Sequence, residues 1–283
     1  MKKTRQGIAF LLVAVIATMM MATGCTGGNS SGQDTLSDTL DADTLDGDTL
    51  SALIEETPMP KAADEFFDDF IYNFAASRRV QKERIDFPLK SVVYGKATQI
   101  QKGEWKIDHF FMRQGFYTMI VGDMKELEGS KNPACEHVVI EKIFLRAGNV
   151  KQYVFNRVEG LWKLQEVCTQ HMKDNANGAF YQFYARFVSD STFQQRSLAD
   201  EIRFSGPDPE DDFSRMDGVI MPEQWSMFVP VLPNDMIYNI IYGNVHPKGS
   251  QRILVVRGIA NGLETELTFR KSKNGWQLCG LNI

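Results

Sequence analysis

The sequence predicts an α+β fold: two tandem modules, each a long N-terminal helix packed on a curved antiparallel sheet, preceded by a disordered tether. Three observations predict it. One aromatic pattern recurs in the same order about 113 residues further on. In each copy a phenylalanine stripe at helical spacing comes before runs of strand-like residues. Residues 26–60, by contrast, hold no aromatic side chain. The 283 residues, 43% hydrophobic and 24% charged, exclude collagen-like, coiled-coil and wholly disordered chains.

The chain opens on Lys2, Lys3 and Arg5, then runs apolar from Ile8 to Ala22 with Thr18 the one interruption. Fifteen helical residues reach roughly 22 Å, short of the ~30 Å hydrocarbon core. Residues 1–24 therefore read as a signal peptide rather than a permanent membrane span. Ala22-Thr23-Gly24-Cys25 resembles the bacterial lipobox. That resemblance implies a thiol of Cys25 that is diacylated, cleavage before it, and acylation of the new amino group. Several acyl chains at about 0.8 kcal/mol per buried CH₂ make a stable anchor. The expected location is the bacterial cell envelope, lipid-anchored, on the periplasmic or cell-surface side.

Residues 25–60 form the tether. Its net charge is strongly negative, with eight acids and no base over 26–60, and its few isolated leucines cannot offset the entropy of ordering. Asp-Thr-Leu recurs at Asp34, Asp38, Asp43 and Asp48. The triplet resembles an O-glycosylation acceptor motif of envelope proteins in one group of Gram-negative bacteria. The acceptors it implies are Thr35, Thr39, Thr44 and Thr49. The alternative is an acidic spacer kept for solubility. The formal charge is −5 overall, yet the body after residue 60 is neutral, which argues against a nucleic-acid partner because phosphate binding needs clustered positive charge.

The first module, 61–170, begins with Phe67, Phe70 and Phe74, and the second, 171–283, with Phe180, Phe183 and Phe187. Both stripes are predicted to be helices. A short helix is expected around Trp105, with a shorter counterpart from Gln224 to Pro230. Strands are expected over 116–121, 138–145, 150–158 and 161–167, and again over 237–242, 252–258, 264–270 and 276–281. Ala147-Gly148-Asn149, Glu159-Gly160, Asn261-Gly262 and Asn274-Gly275 supply the hairpin turns. Trp105 matches Trp225 at an offset of 120, Tyr117 matches Tyr238 at 121, and Trp162 matches Trp276 at 114.

Helix first and curled meander after resembles the nuclear transport factor 2-like, or cystatin-like, cone fold. The helix stripe, the mid-unit tryptophans and the closing hairpins at Trp162 and Trp276 carry the resemblance, one cone per module. It implies a pocket between helix and sheet. As a whole the chain resembles an uncharacterised family of tandem-repeat envelope lipoproteins with no assigned activity.

Candidate chemistry is sparse. The dinucleotide, P-loop, zincin, Cys-x-x-Cys and nucleophile-elbow templates are missing. The histidines at 109, 137, 171 and 246 are scattered, so neither a metal nor a cofactor is expected. Asp108-His109 is the one adjacent Asp-His pair, and the positions matching it are Phe228 and Val229. Ser77 and Gln81 continue the first stripe inward, as Asp190 and Gln194 continue the second. They either tie helix to strand or line the polar end of a ligand pocket. Trp105 and Trp225 pose the same choice between core packing and a stacking platform. Of the cysteines beyond Cys25, a Cys135–Cys168 disulfide is the favoured pair, with Cys279 a small apolar group in the last strand. The function expected is a non-catalytic ligand-binding or interaction module for a small molecule, glycan or protein. A hydrolase or lyase working from the first pocket through Asp108 and His109, and a structural spacer, are the alternatives.

Overall fold

The computed structural model describes residues 61–208, 210–243, 249–259 and 261–283. Cys25 and the four tether threonines lie outside the described residues. Among the described residues, no helix is long and apolar enough to cross a membrane.

Each expected long helix is two short ones. Helix α1 (Phe67–Ala76) stops at Ser77, and α2 (Arg78–Glu83) starts after it. Ser77 is extended, at φ −118° and ψ 120°, and its hydroxyl accepts from the Val80 amide at 3.3 Å. In the second half α3 (Gly178–Ser189) stops at Asp190, and α4 (Ser191–Arg196) follows. Asp190 is extended too, and its carboxylate accepts from the Phe193 amide at 2.9 Å. Both are N-cap residues: a short polar side chain satisfies an amide that the new helix leaves open. Thus Ser77 and Asp190 end one helix and begin the next.

The phenylalanines still face inward. Phe67 lies against Trp162 with ring centroids 5.0 Å apart, and Phe180 against Trp276 at 5.3 Å. Phe155 and Phe269 receive the rest of each stripe edge-on. After α2 come β1 (Ile85–Val93) and β2 (Lys96–Ile100), turned at Tyr94-Gly95, where both residues have positive φ. Such a turn follows the natural twist of paired strands. Then come β3 (Phe116–Val121), β4 (His137–Phe144), β5 (Asn149–Val158) and β6 (Leu161–His171). The second half supplies β7 (Leu198–Asp208), β8 (Asp211–Ile220), the one-turn α5 (Trp225–Phe228), β9 (Met236–Tyr242), β10 (Gln251–Gly258), β11 (Glu264–Ser272) and β12 (Gly275–Asn282). No helix forms at Trp105; a 3-10 turn follows at Phe110–Arg113.

Two six-stranded sheets result, ordered β2-β1-β6-β5-β4-β9 and β3-β10-β11-β12-β7-β8. Their orders correspond strand for strand, but β3 and β9 have changed places. β9 pairs with β4 of the first half, and β3 with β10 of the second. Two self-contained modules divided between 170 and 171 are therefore not what the chain forms. Each core also draws on both sheets. The first holds Phe67, Phe70, Val138, Ile140 and Trp162, and with them Ile253 and Val255 from the back of the second sheet. The second holds Phe180, Phe187, Leu254 and Phe269, with Ile143, Val150 and Ile237 from the back of the first. Alternation makes this possible: Ile140 and Ile143 point to opposite faces of β4.

The register also corrects the sequence match at β3 and β9. Lys142 pairs with Tyr238, and its counterpart Val256 pairs with Thr118. Tyr238 thus corresponds to Thr118, one residue from the match with Tyr117. A one-residue slip moves a side chain to the other face of the sheet, so the distinction decides which core Tyr238 enters.

Candidate functional site

Gln81 is fully buried and holds the first half's polar end in place. It donates to Phe74 O at 2.9 Å and Asp108 O at 2.8 Å, and accepts from Trp105 Nε1 at 2.9 Å and Asp108 N at 3.2 Å. Gln194 repeats part of this, donating to Phe187 O at 3.1 Å and accepting from Trp225 Nε1 at 3.1 Å. Among the residues expected to line a pocket, Gln81, Gln194, Trp105 and Trp225 have these polar groups engaged within the protein, and Ser77 and Asp190 cap helices. Two concavities among the described residues, about 750 Å³ beside α3 and about 340 Å³ beside β7 and β12, are lined by other residues.

What the Gln81 tie positions is Asp108. Its carboxylate accepts from the Phe110 amide at 2.9 Å, from Lys142 Nζ at 3.3 Å and from the Tyr153 hydroxyl. His109 turns the other way and donates from Nδ1 to Ala75 O at 3.1 Å. Neighbouring residues so divergent do not make an acid–base pair. No hydrogen bond joins the two side chains among the described residues.

The site is instead a row across three strands. Lys151 on β5 stands opposite Lys142 on β4, which stands opposite Tyr238 on β9. All three share the face that carries Tyr153 and Phe155 into the first core. Burial opposes a charge on Asp108, but Tyr153, Lys142 and the Phe110 amide outweigh it and hold the carboxyl below its usual range. Burial pushes the Lys151 ammonium down; Asp108 works against that shift and Lys142 adds to it. Burial first, then Asp108, pushes the Tyr153 and Tyr238 phenols up. Lys151 Nζ lies 4.7 Å from the Tyr153 ring centroid, and among the described residues no carboxylate reaches salt-bridge distance of it. Tyr238 is fully buried, and its hydroxyl has no hydrogen-bond partner among the described residues.

The second half lacks this arrangement. At the positions of Asp108, Lys142, Lys151 and Tyr153 it carries Phe228, Val256, Thr265 and Leu267. Sequence reasoning missed Lys142, Lys151, Tyr153 and Tyr238. The signal was available: Val138, Ile140 and Lys142 alternate on one strand, and Lys151, Tyr153 and Phe155 on the next, so each lysine falls on an apolar face.

Cys135, Cys168 and Cys279 are free, so the expected Cys135–Cys168 bridge does not form. Cys168 pairs with Gln152 and, through it, lies level with Glu141. Cys135 precedes β4, two strands away and six residues from Glu141. Two strand spacings alone are roughly 10 Å, beyond the Cα separation of a disulfide.

A family model described as a domain of unknown function (DUF4348) matches residues 46–282. No curated protein matches the chain. Among solved structures, the chain is similar to the crystal structure of an NTF2-like protein from Bacteroides fragilis. The two are 35% identical with a TM-score of 0.72, over 80% of this chain and 98% of that one.

Proposed function

The chain belongs to the DUF4348 family and has an NTF2-like fold, and from that premise we propose a non-catalytic binding protein held at the bacterial envelope by acylated Cys25. Its binding site is the polar end of the first core. The observation that carries this reading is the row of Lys151, Lys142 and Tyr238, ionic and polar groups on a face otherwise apolar. Asp108 and His109 point apart, which favours binding over acid–base chemistry. The second half serves as scaffold in this reading, because Phe180, Phe187 and Phe269 fill its core, Val256, Thr265 and Leu267 stand where the first half has Lys142, Lys151 and Tyr153, and the Glu141 carboxylate buried against it is already bonded by Gln152, Asn175, Tyr181 and Asn239. The tether, glycosylated at Thr35, Thr39, Thr44 and Thr49, holds the body off the membrane.

Three measurements test this. Cys25→Ser should release the protein from the membrane fraction or block its processing; normal processing with unchanged partitioning overturns the anchor. The intact mass of the mature chain should exceed that calculated for the acylated polypeptide by glycan, and that excess should vanish when the four threonines become alanine. For the site, small polar molecules that raise the wild-type Tm should lose that effect in Lys142→Met and keep it in His109→Ala. Turnover that depends on His109 overturns the binding reading.

A further inference from the structure

The row in the first core has one polar hydrogen without an acceptor and one cation, set over the Tyr153 ring, without a carboxylate at salt-bridge distance among the described residues. The Tyr238 hydroxyl is fully buried without a partner among the described residues. A buried donor left unmade is unfavourable, and native proteins keep few of them. One strand away is Lys142, whose ammonium lies 5.8 Å from the Tyr238 ring centroid and 3.3 Å from Asp108. One strand further is Lys151, with no carboxylate at salt-bridge distance among the described residues. Lys142 and Lys151 are directly opposite on neighbouring strands, and like charges so placed repel. Asp108 supplies one negative charge to two positive ones. The side chains of Lys142 and Asp108 keep 17% and 16% of their surface exposed, so the row can be reached from solvent.

We propose that this row receives a small oxyanion, a carboxylate or phosphate group, between Lys151 and Lys142, with the Tyr238 hydroxyl donating to one of its oxygens. The inference rests on the binding reading above and names its ligand class. An oxyanion supplies both things the site lacks: a second negative charge for the lysine pair and an acceptor for the phenol. A neutral ligand would supply only the acceptor, and a cation would add to the repulsion. Lysine ammoniums and a tyrosine hydroxyl are suitable donors for such a group, since hydrogen bonds to ionised oxygens are the stronger kind. The second sheet, with Val256, Thr265 and Thr118 at the corresponding positions, offers no such site.

The test uses the full chain in detergent micelles at constant ionic strength. Calorimetric titrations with inorganic phosphate, a phosphomonoester and succinate separate phosphate from carboxylate as the group preferred. At least one should bind, and Lys151→Met should weaken it by tenfold or more. Tyr238→Phe should weaken it about fivefold while leaving the Tm of the ligand-free protein unchanged or higher, because the variant removes a hydroxyl that has no internal bond to lose. The proposal is overturned by no binding of any of the three, by equal affinity in both variants, or by a lower ligand-free Tm in Tyr238→Phe. A neutral molecule bound equally by wild type and Lys151→Met overturns the oxyanion and leaves the binding reading standing, whereas His109-dependent turnover removes that reading itself.

Discussion

Asp108 is withdrawn from water yet keeps its charge, because Tyr153, Lys142 and the Phe110 amide all donate to it. Its folded pKa lies below that of the unfolded chain. Its contribution is therefore present above the unfolded value and lost as pH falls through the folded one. Asp108→Asn should lower stability near neutral pH by about 3 kcal/mol, the low end for breaking one side of a buried ion pair. The gap between variant and wild type should narrow on acidification, as urea unfolding at several pH values would read. A gap independent of pH would mean that the charge plays no part. In the sequence, Asp108 attracts notice for its neighbour His109. What matters is its contact with Lys142, 34 residues on, and Tyr153, 45 residues on. Local spacing carries no information about such partners.

Helix length turns on one side chain in each half. The stripe from Phe67 to Gln81 keeps its inward face across a break, so periodicity alone reads it as one helix. Ser77 and Asp190 are strong N-cap types lying where the stripe continues, and that was the legible sign of the break. Ser77→Ala should lower stability by about 1 kcal/mol, and Asp190→Ala should act in the same direction. Circular dichroism through a urea titration checks both, and an unchanged midpoint for Ser77→Ala would argue against the cap. The meander strands were readable because they alternate and are bounded by Gly turns. β1 and β2 were not. β1 buries only Ile85, Leu89 and Ser91, it contains Pro88, and β2 is almost wholly exposed. An edge hairpin with so little apolar alternation looks like a loop.

Across the whole molecule, the exchange of β3 and β9 makes the halves interdependent. Residues 61–170 alone would leave β4 without β9 and the first core without Ile253 and Val255. Each half expressed separately should lack cooperative unfolding, and the two expressed together should assemble into a folded pair. Two stable, independently melting halves would refute this interdependence. The recurrent phenylalanines, the paired tryptophans and the turn glycines follow from sequence alone, because hydrophobic periodicity and turn chemistry are local. So does the resemblance to a cone fold that these features carry. Tertiary structure alone decided which sheet each of β3 and β9 joins, since Val121 and Ile241 suit either apolar face. It alone also brought Asp108, Lys142, Lys151 and Tyr238 together. These residues come from a loop and three strands spread over 131 positions of sequence, and only strand pairing and the Gln81 tie place them in one row.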